Sequence, residues 1–203
     1  MIAFISFSYK QNLCTIPLLT NPISRYTIPM FSDPQKNITE LGVSIGMKVA
    51  DLGAGSGFYT IEAAKKVGPT GMVYVVDIQQ ELLGRIKNSG SIIGLNNIES
   101  IWGDIAQIGG TKLREALIDR VILSNTLFQI PTESRDNLVL EIKRILKSGG
   151  KLLVVDWIEN SPLGPKEAIP KTLTESIFQK SGFKVEKNFD AGDHHYGIIF
   201  KKP

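Results

Sequence analysis

The most informative segment of the chain reads Val49-Ala50-Asp51-Leu52-Gly53-Ala54-Gly55-Ser56-Gly57-Phe58-Tyr59-Thr60. An apolar run of strand character leads directly into three glycines spaced two residues apart, and a helical pattern follows. Glycine is required where the backbone takes a positive φ or lies flush against a ligand. The first turn of the following helix offers backbone N–H groups without intrahelical partners. The segment therefore predicts a strand–turn–helix unit whose turn binds a ligand.

The spacing of these glycines separates two kinds of ligand. A dinucleotide fingerprint has the pattern G-x-G-x-x-G, and Phe58 stands where its third glycine would be. Asp51, two residues before the first glycine, would repel a pyrophosphate and suits an ammonium or hydroxyl group. An adenosyl ligand is therefore favoured. A nicotinamide-dependent oxidoreductase is disfavoured but stays open, as does a purely structural role for the glycines.

Outward from this segment, short β-rich runs alternate with amphipathic segments of helical length. This alternation predicts right-handed βαβ units and a mostly parallel sheet of the α/β class. The predicted strands cover 47–52, 72–77, 98–102, 120–124 and 151–157. Helices are predicted over 34–41, from the glycine turn to the breaker pair Gly68-Pro69, and from near Gln79. Another helix is predicted from an N-cap at Thr132, with an apolar stripe that includes Leu146, to a stop at Gly149-Gly150.

The last third of the chain departs from this alternation. Thr172 and Glu175 have the spacing of a capping box, which predicts a helix to about Ser181. Two strands are predicted after it, over 183–189 and 196–200, with residues 190–195 between them. This connection is too short for a parallel crossover. The final strand is therefore predicted to run antiparallel to its neighbour.

Two acids stand at the ends of predicted strands. Asp77 ends the second strand, twenty residues beyond Gly57, where a carboxylate can accept hydrogen bonds from both hydroxyls of a ribose. Asp104 follows the third strand and can accept a hydrogen bond from an exocyclic amine. A helix N-cap for Asp77 and a plain loop position for Asp104 are the alternatives.

Together these features resemble the class I S-adenosylmethionine-dependent methyltransferases. The resemblance covers residues 31–203 and depends mainly on the glycine turn combined with the acid after the second strand. Supporting segments are Gly103-Asp104, residues 119–125 and Leu146-Lys147-Ser148-Gly149-Gly150-Lys151. The resemblance implies a Rossmann-like, doubly wound sheet of seven strands. That sheet would be mostly parallel, with an antiparallel last strand and helices on both faces.

The resemblance also implies a site for S-adenosylmethionine, with S-adenosylhomocysteine as the product and no metal. The glycines of the turn are expected to pack on the amino-acid part of this cofactor, and Asp77 to hold its ribose. Ile78 is expected to pack on the adenine, and Asp104 with Ile105 to recognise its edge. Asn125 is expected to approach the sulfonium through its backbone. The full set of predicted cofactor-binding residues is Asp51, Gly53, Gly55, Gly57, Tyr59, Asp77, Ile78, Gly103, Asp104, Ile105 and Asn125.

The methyl acceptor is expected at the carboxyl ends of the strands, where ligands bind in open α/β sheets. Alignment can supply most of the catalysis of an in-line methyl transfer, so no general base is obligatory. The substrate-side candidates are Phe128, Gln129, Trp157 and Tyr196. The candidates for a catalytic role are Asp156, His194 and His195. For the histidine pair, a solvated turn and a role as proton acceptor or substrate hydrogen-bond partner are both open. For Asp156 and Trp157, a substrate wall and a plain structural role are both open. Many proteins that the chain resembles carry a histidine where Gln129 stands, which disfavours a base there.

Composition excludes several classes of protein. A chain of 203 residues with 42% hydrophobic and 21% charged residues is typical of a globular domain rather than a disordered one. The single cysteine, Cys14, excludes an intramolecular disulfide and a cysteine-rich zinc site, and favours the cytoplasm. The absence of cysteine after that position also excludes arsenite methylation through a cysteine cluster. No membrane span and no signal peptide are expected.

The net charge of +3 is unevenly distributed along the chain. Residues 1–30 contain Lys10 and Arg25 and no acid, and we interpret them as an irregular N-terminal extension, either ordered or disordered. Residues 31–203, the predicted methyltransferase-like domain, carry 21 bases and 20 acids. Such a near-neutral domain lacks the electrostatic pattern of nucleic-acid binding, so a small-molecule acceptor is favoured. An RNA or protein acceptor stays open, and so does a non-catalytic adenosyl-binding or partner-binding module.

Overall fold

A computed structural model describes residues 32–203 of the chain. The predicted extension over residues 1–30 lies outside the described residues. The helices are α1 Pro34–Glu40, α2 Phe58–Val67, α3 Gln80–Ile92, α4 Arg135–Ile145 and α5 Lys171–Gln179. The strands are β1 Lys48–Leu52, β2 Met72–Asp77, β3 Ile98–Trp102, β4 Ile118–Ser124, β5 Leu146–Trp157, β6 Lys184–Gly192 and β7 His195–Lys201. Short 3₁₀ turns occupy Leu127–Gln129 and Thr132–Ser134.

The strands form one seven-stranded sheet in the order β3-β2-β1-β4-β5-β7-β6. The first five strands pair in parallel, and β7 runs antiparallel to both β5 and β6. The predicted doubly wound sheet with a reversed last strand is therefore confirmed. Its strand order reverses between β1 and β4, and a crevice at such a switch point is where open α/β sheets bind ligands.

Helices cover both faces of the sheet, as predicted. On one face, α1, α2 and α3 pack against the sheet through small and branched side chains such as Ala63, Ala64 and Ile86. On the other face, α4 and α5 pack through Leu138 and Phe178. Residues 121–123 of β4 and 152–155 of β5 are continuously apolar and buried because they lie between two layers of helices.

The predicted extent of the fourth helix is wrong at both ends. Thr132 begins a 3₁₀ turn, and α4 starts three residues later, at Arg135. The helix ends at Ile145, and Leu146 pairs with Ile118 as the first residue of β5. Gly149 and Gly150 lie within β5, where the register shifts, and do not end the helix. Pairing with β4 outweighed the helical periodicity of the preceding residues.

Two details of the last third also differ from prediction. Thr172 is not an N-cap, because Pro170 holds that position before α5 and no side chain caps the helix. Glu175 instead accepts a hydrogen bond from the Asn188 side chain, at 2.8 Å. The β6–β7 hairpin is longer than predicted, since only residues 193–194 separate the two strands. No helix among residues 32–203 is long and apolar enough to cross a membrane.

Candidate functional site

The glycine turn lies between the carboxyl end of β1 and the start of α2. Gly53, Gly55 and Gly57 have φ values of +71°, +53° and +79°, the left-handed region that favours glycine. A Cβ at Gly53 would lie 2.6 Å from the Thr126 side chain, and one at Gly57 would lie 2.6 Å from Ile86. A Cβ at Gly55 would meet nothing within 4 Å. Gly53 and Gly57 are therefore required by packing, whereas the open face of Gly55 leaves room for a ligand.

Asp51, near the end of β1, contacts the first turn of α2 and so stabilises the glycine turn between them. It is buried, and its Oδ2 accepts a 2.6 Å hydrogen bond from the hydroxyl of Thr60 in the first turn of α2. Burial raises the pKa of Asp51 to about 6, the bonds from Thr60 oppose the shift, and the nearby carboxylate of Asp77 adds to it. Asp51 therefore links β1 to α2 beneath the glycines.

Asp77 occupies the centre of the crevice at the end of β2. Its Oδ2 accepts a hydrogen bond from the backbone N–H of Gly55, at 3.2 Å, and its Oδ1 accepts one from Gln79, at 2.8 Å. A carboxylate has about four lone-pair sites, so two protein donors leave capacity for two more. Asp77 thus joins the glycine turn to the start of α3 and keeps acceptor sites for a ligand.

Asp104 and Ile105 lie in the segment that follows β3. The Oδ1 of Asp104 accepts from the backbone N–H of Ala106, at 2.9 Å, and its Oδ2 accepts from the side chain of Gln107, at 2.8 Å. Ile105 is buried, whereas Ile78 is 64% exposed. Asp104, Ile105 and Ile78, which follows β2, line one pocket and place a carboxylate beside two apolar side chains, a combination suited to the edge and faces of a heteroaromatic ring.

A pocket of about 200 Å³ brings many of the predicted residues together. Predicted residues that line it are Gly53, Gly55, Asp77, Ile78, Gly103, Asp104, Ile105 and Gln129. The lining also includes residues that the sequence analysis missed, namely Val76, Gln79, Thr126 and Ile130. In the sequence, the glycine at position 53 indicates only that something lies close to the backbone, and the structure identifies that neighbour as Thr126. A cleft of about 450 Å³ between the ends of α2 and α3 lies far from these carboxylates.

Four predicted cofactor residues lie outside this lining, namely Asp51, Gly57, Tyr59 and Asn125. Gly57 faces Ile86, and the hydroxyl of Tyr59 accepts a 2.7 Å hydrogen bond from Asn37 of α1. Asn125 has a φ of +52°, and its carbonyl accepts from the side chain of Gln129, at 2.6 Å. Contact of these four residues with a cofactor stays a prediction.

The acceptor-side and catalytic candidates lie after β4, at the end of β5 and around the start of β7. Asp156 is buried, its Oδ1 accepts a 2.8 Å hydrogen bond from the backbone N–H of Trp157, and its Oδ2 has no hydrogen-bond partner among residues 32–203. Tyr196, opposite Asp156, shares a hydrogen bond with Thr174 and donates to the carbonyl of Ile169. Burial raises the pKa of Tyr196, so its hydroxyl stays protonated.

The two histidines and Phe128 have different environments. His195 is buried and packs against Trp157, with 4.2 Å between ring centroids. His194 lies in the two-residue turn of the hairpin and is half-buried. Phe128 is half-buried against the core next to α4. Among the described residues, no group of three or more His, Cys, Asp or Glu side chains is placed to hold a metal ion.

Burial also makes Asp156 a source of pH-dependent stability. Burial raises its pKa to about 6, although the hydrogen bond from the Trp157 N–H, the nearby backbone of Phe128 and the charge of Arg135 oppose the shift. The pKa in the folded protein lies above the unfolded value of 3.8. The contribution of the protonated acid to stability is therefore full below the unfolded pKa and lost as the pH rises through about 6.

Asp156→Asn should remove this loss, because asparagine imitates the neutral acid. The unfolding free energy of the variant minus that of the wild type should rise by about 2 kcal/mol from pH 4 to pH 8. Urea unfolding at the two pH values measures this difference. Titration of Asp51 contributes equally to both proteins and therefore cancels. An equal difference between the proteins at both pH values would contradict the shifted pKa.

Comparison with known proteins agrees with this geometry. A family model described as a methyltransferase domain matches residues 44–193. A SAM-dependent methyltransferase of known structure from Aquifex aeolicus is 26% identical and superposes with a TM-score of 0.75, over 85% of this chain and 91% of that chain.

Curated relatives match over shorter parts of their length. The ubiquinone/menaquinone biosynthesis C-methyltransferase UbiE of Pasteurella multocida is 32% identical over 70% of this chain and 51% of its own length. An arsenite methyltransferase of Halobacterium salinarum is 27% identical over 58% of this chain and 29% of its own length. The chain thus spans about half of the first relative and under a third of the second. The family match covers most of the described domain, so this chain belongs to the class I S-adenosylmethionine-dependent methyltransferase family.

Proposed function

We propose that this chain binds S-adenosylmethionine in the crevice between β1, β2 and β4 and transfers its methyl group to a small-molecule acceptor. The observation that carries the proposal is the pair of Asp77 and Gly55. The carboxylate of Asp77 accepts hydrogen bonds from two backbone N–H groups and keeps lone pairs for a ligand. Beside it, the space where a Cβ of Gly55 would lie is open.

The residues of the crevice fit each part of this cofactor. Asp77 would accept hydrogen bonds from the two ribose hydroxyls. Ile78 and Ile105 would contact the faces of the adenine, and Asp104 would accept from its exocyclic amine. The backbone at Gly53 and Gly55 would lie along the amino-acid part. None of these groups would repel the cationic sulfonium, and Asp51 and Asp77 favour a positive charge nearby.

When bound, the cofactor supplies a methyl group that is already activated on a positive sulfur. The protein then has to align the acceptor atom with the methyl carbon and exclude water, which can provide most of the rate enhancement. Asp156 is the residue we propose for proton acceptance, since its Oδ2 is without a partner in the described residues and its pKa of about 6 suits neutral pH.

A small-molecule acceptor is supported by two features. Residues 31–203 are close to neutral in charge, without the large net positive charge that is typical of nucleic-acid binding. The names of the two relatives described above refer to quinone biosynthesis and to arsenite. Of these two kinds of acceptor, arsenite is the less favoured, because residues 32–203 contain no cysteine thiol to bind it.

Thermal unfolding with S-adenosylhomocysteine, and separately with NAD, tests the cofactor. At 100 times its dissociation constant a ligand stabilises a protein by roughly 2.7 kcal/mol, or about 5–10 °C in Tm for a domain of this size. We expect this rise with S-adenosylhomocysteine and not with NAD. A rise with NAD alone would instead support the oxidoreductase alternative.

Transfer of a tritiated methyl group into a small-molecule extract tests the reaction. We expect labelled product in the low-molecular-mass fraction. Binding of S-adenosylhomocysteine without any labelled product would favour a non-catalytic module, and label in RNA or protein would reject the small-molecule acceptor.

A further inference from the structure

One buried carboxylate away from the pocket holds the segment that carries Asp104. Residues 103–117 connect β3 to β4 without a helix or strand, so their backbone N–H groups need other partners. Glu141 of α4 supplies the partner for two of them. Its Oε2 accepts from the N–H of Gly109, at 2.8 Å, and its Oε1 accepts from the N–H of Thr111, at 3.2 Å, and from the Thr111 hydroxyl.

Arg144, one helical turn further along α4, completes this arrangement. Its guanidinium donates to both oxygens of Glu141, at 2.7 and 2.8 Å, and to the carbonyl of Leu113, at 2.9 Å. Glu141 is fully buried. Burial by itself would raise its pKa, but the hydrogen bonds from Arg144, Thr111 and Gly109 outweigh burial and lower the pKa to about 2. The carboxylate is therefore charged at any pH at which the protein would be assayed.

The segment transmits the position of Glu141 to Asp104 through close backbone contact. Gly110 stands between the two residues that Glu141 binds, and a Cβ on it would lie 1.9 Å from the carbonyl oxygen of Asp104. Gln107 donates from its backbone to the same carbonyl, at 3.3 Å, and from its side chain to the Asp104 carboxylate, at 2.8 Å. A shift at residues 109–111 must therefore move Asp104.

We propose that Glu141 is a positioning residue for adenine recognition, acting through residues 109–111 to hold the carboxylate of Asp104 at the base edge. This inference depends on the proposed function, because it assumes that Asp104 faces the adenine. It assigns a role in binding to a residue of α4 that lines no part of the pocket.

The test compares two ligands that differ at the base edge. S-Adenosylhomocysteine presents an amine at position 6, and S-inosylhomocysteine presents a carbonyl there. The wild type should prefer the first by roughly tenfold or more, since a hydrogen bond to a charged group is lost with the second. Glu141→Gln keeps the size of the side chain but loses its charge. It should weaken S-adenosylhomocysteine binding about tenfold and reduce the preference to within about threefold.

Two further variants separate positioning from general destabilisation. Ile142→Ala removes a buried side chain from the same helix and should lower Tm without changing the ligand preference. Thr111→Val loosens the same segment if Glu141→Gln fails to fold, and Thr111→Ser should restore the preference because it retains the hydroxyl. Isothermal titration calorimetry with both ligands provides the measurement.

Hydrogen exchange in the ligand-free protein gives a readout that does not require the cofactor. The amides of Gly109 and Thr111 should be protected in the wild type and in Ile142→Ala, and should exchange faster in Glu141→Gln. A wild-type preference retained in Glu141→Gln and in Thr111→Val would overturn the positioning role. Failure of the wild type to bind S-adenosylhomocysteine, with those amides still protected, would refute the proposed function and the positioning role with it, leaving Glu141 a structural residue.

Discussion

Replacement of Asp77 by asparagine should weaken binding of S-adenosylhomocysteine by roughly 100-fold or more, because a hydrogen bond to a charged group contributes about 1.5–3 kcal/mol and the ribose would make two. Asparagine keeps the size of the side chain and one acceptor oxygen, so it can still receive a bond from Gly55 or Gln79. The fold should therefore persist. Calorimetric titration measures the affinity, and the unliganded Tm reports the fold.

Glu81→Gln provides the matched control for this experiment. It makes the same change of one charge in the first turn of α3, four residues away, on a side chain that is 77% exposed. Its affinity for S-adenosylhomocysteine should stay within about twofold of the wild type, since an exposed ion pair contributes little. Equal losses of affinity in both variants would mean that overall charge, and not the ribose contact, explains the effect. An unchanged affinity in Asp77→Asn would reject the ribose assignment.

Alanine at Gly55 should abolish detectable binding of S-adenosylhomocysteine while leaving the protein folded. In the free protein the new Cβ meets no atom within 4 Å, so the cost is the positive φ of +53°, about 1–2 kcal/mol for a residue other than glycine. In the complex the same methyl group would stand where the ligand has to approach the backbone. We expect affinity to fall by at least about 100-fold, as measured by calorimetry and by loss of the ligand-induced rise in Tm.

Gly94→Ala is the control for backbone strain. Gly94 also has a positive φ, +77°, and open space around its Cβ direction, but it follows α3, away from the pocket around Asp77. Both variants should lose similar stability, and only Gly55→Ala should lose the ligand. Gly53 and Gly57 are unsuitable for this test because their Cβ atoms would collide with Thr126 and Ile86. Retained affinity in Gly55→Ala would show that the ligand does not approach this glycine.

Local patterns predicted most of the sheet. The first and last residues of β2 and β3 are those predicted, and α2 ends at the predicted Gly68-Pro69 pair. Continuous apolar runs and glycine–proline breakers act over a few residues, so they are visible in sequence. The antiparallel β7 was predictable because a short connection permits no other direction.

The errors occurred where distant residues compete with local preference. Leu146 continues the apolar stripe of α4, yet it pairs with Ile118, which is 28 positions earlier in the chain. Thr172 and Glu175 have the spacing of a capping box, but Glu175 accepts a hydrogen bond from Asn188 of β6. A single side chain has several possible partners, and tertiary packing selects among them.

Sequence reasoning also recovered the pocket only in part. Glycines and acids next to strand ends predicted Gly55, Asp77 and Asp104, because the residue type and the strand end together indicate a ligand. Thr126 and Glu141 carry no such signal: a threonine after a strand and a glutamate within a helix are common at any position. Their importance comes from residues 73 and 30 positions away, at Gly53 and Thr111.

The chain therefore shows a division between local and long-range information. Spacing, periodicity and turn chemistry were sufficient for the α/β class, the reversed last strand and the glycine turn with its acids, since each depends on neighbours along the chain. Folding alone determined which side chains line the crevice, where α4 ends, and how Glu141 holds the segment after β3. Those features depend on contacts between distant segments, and a buried carboxylate acquires its partners and its pKa only when the chain has brought them together.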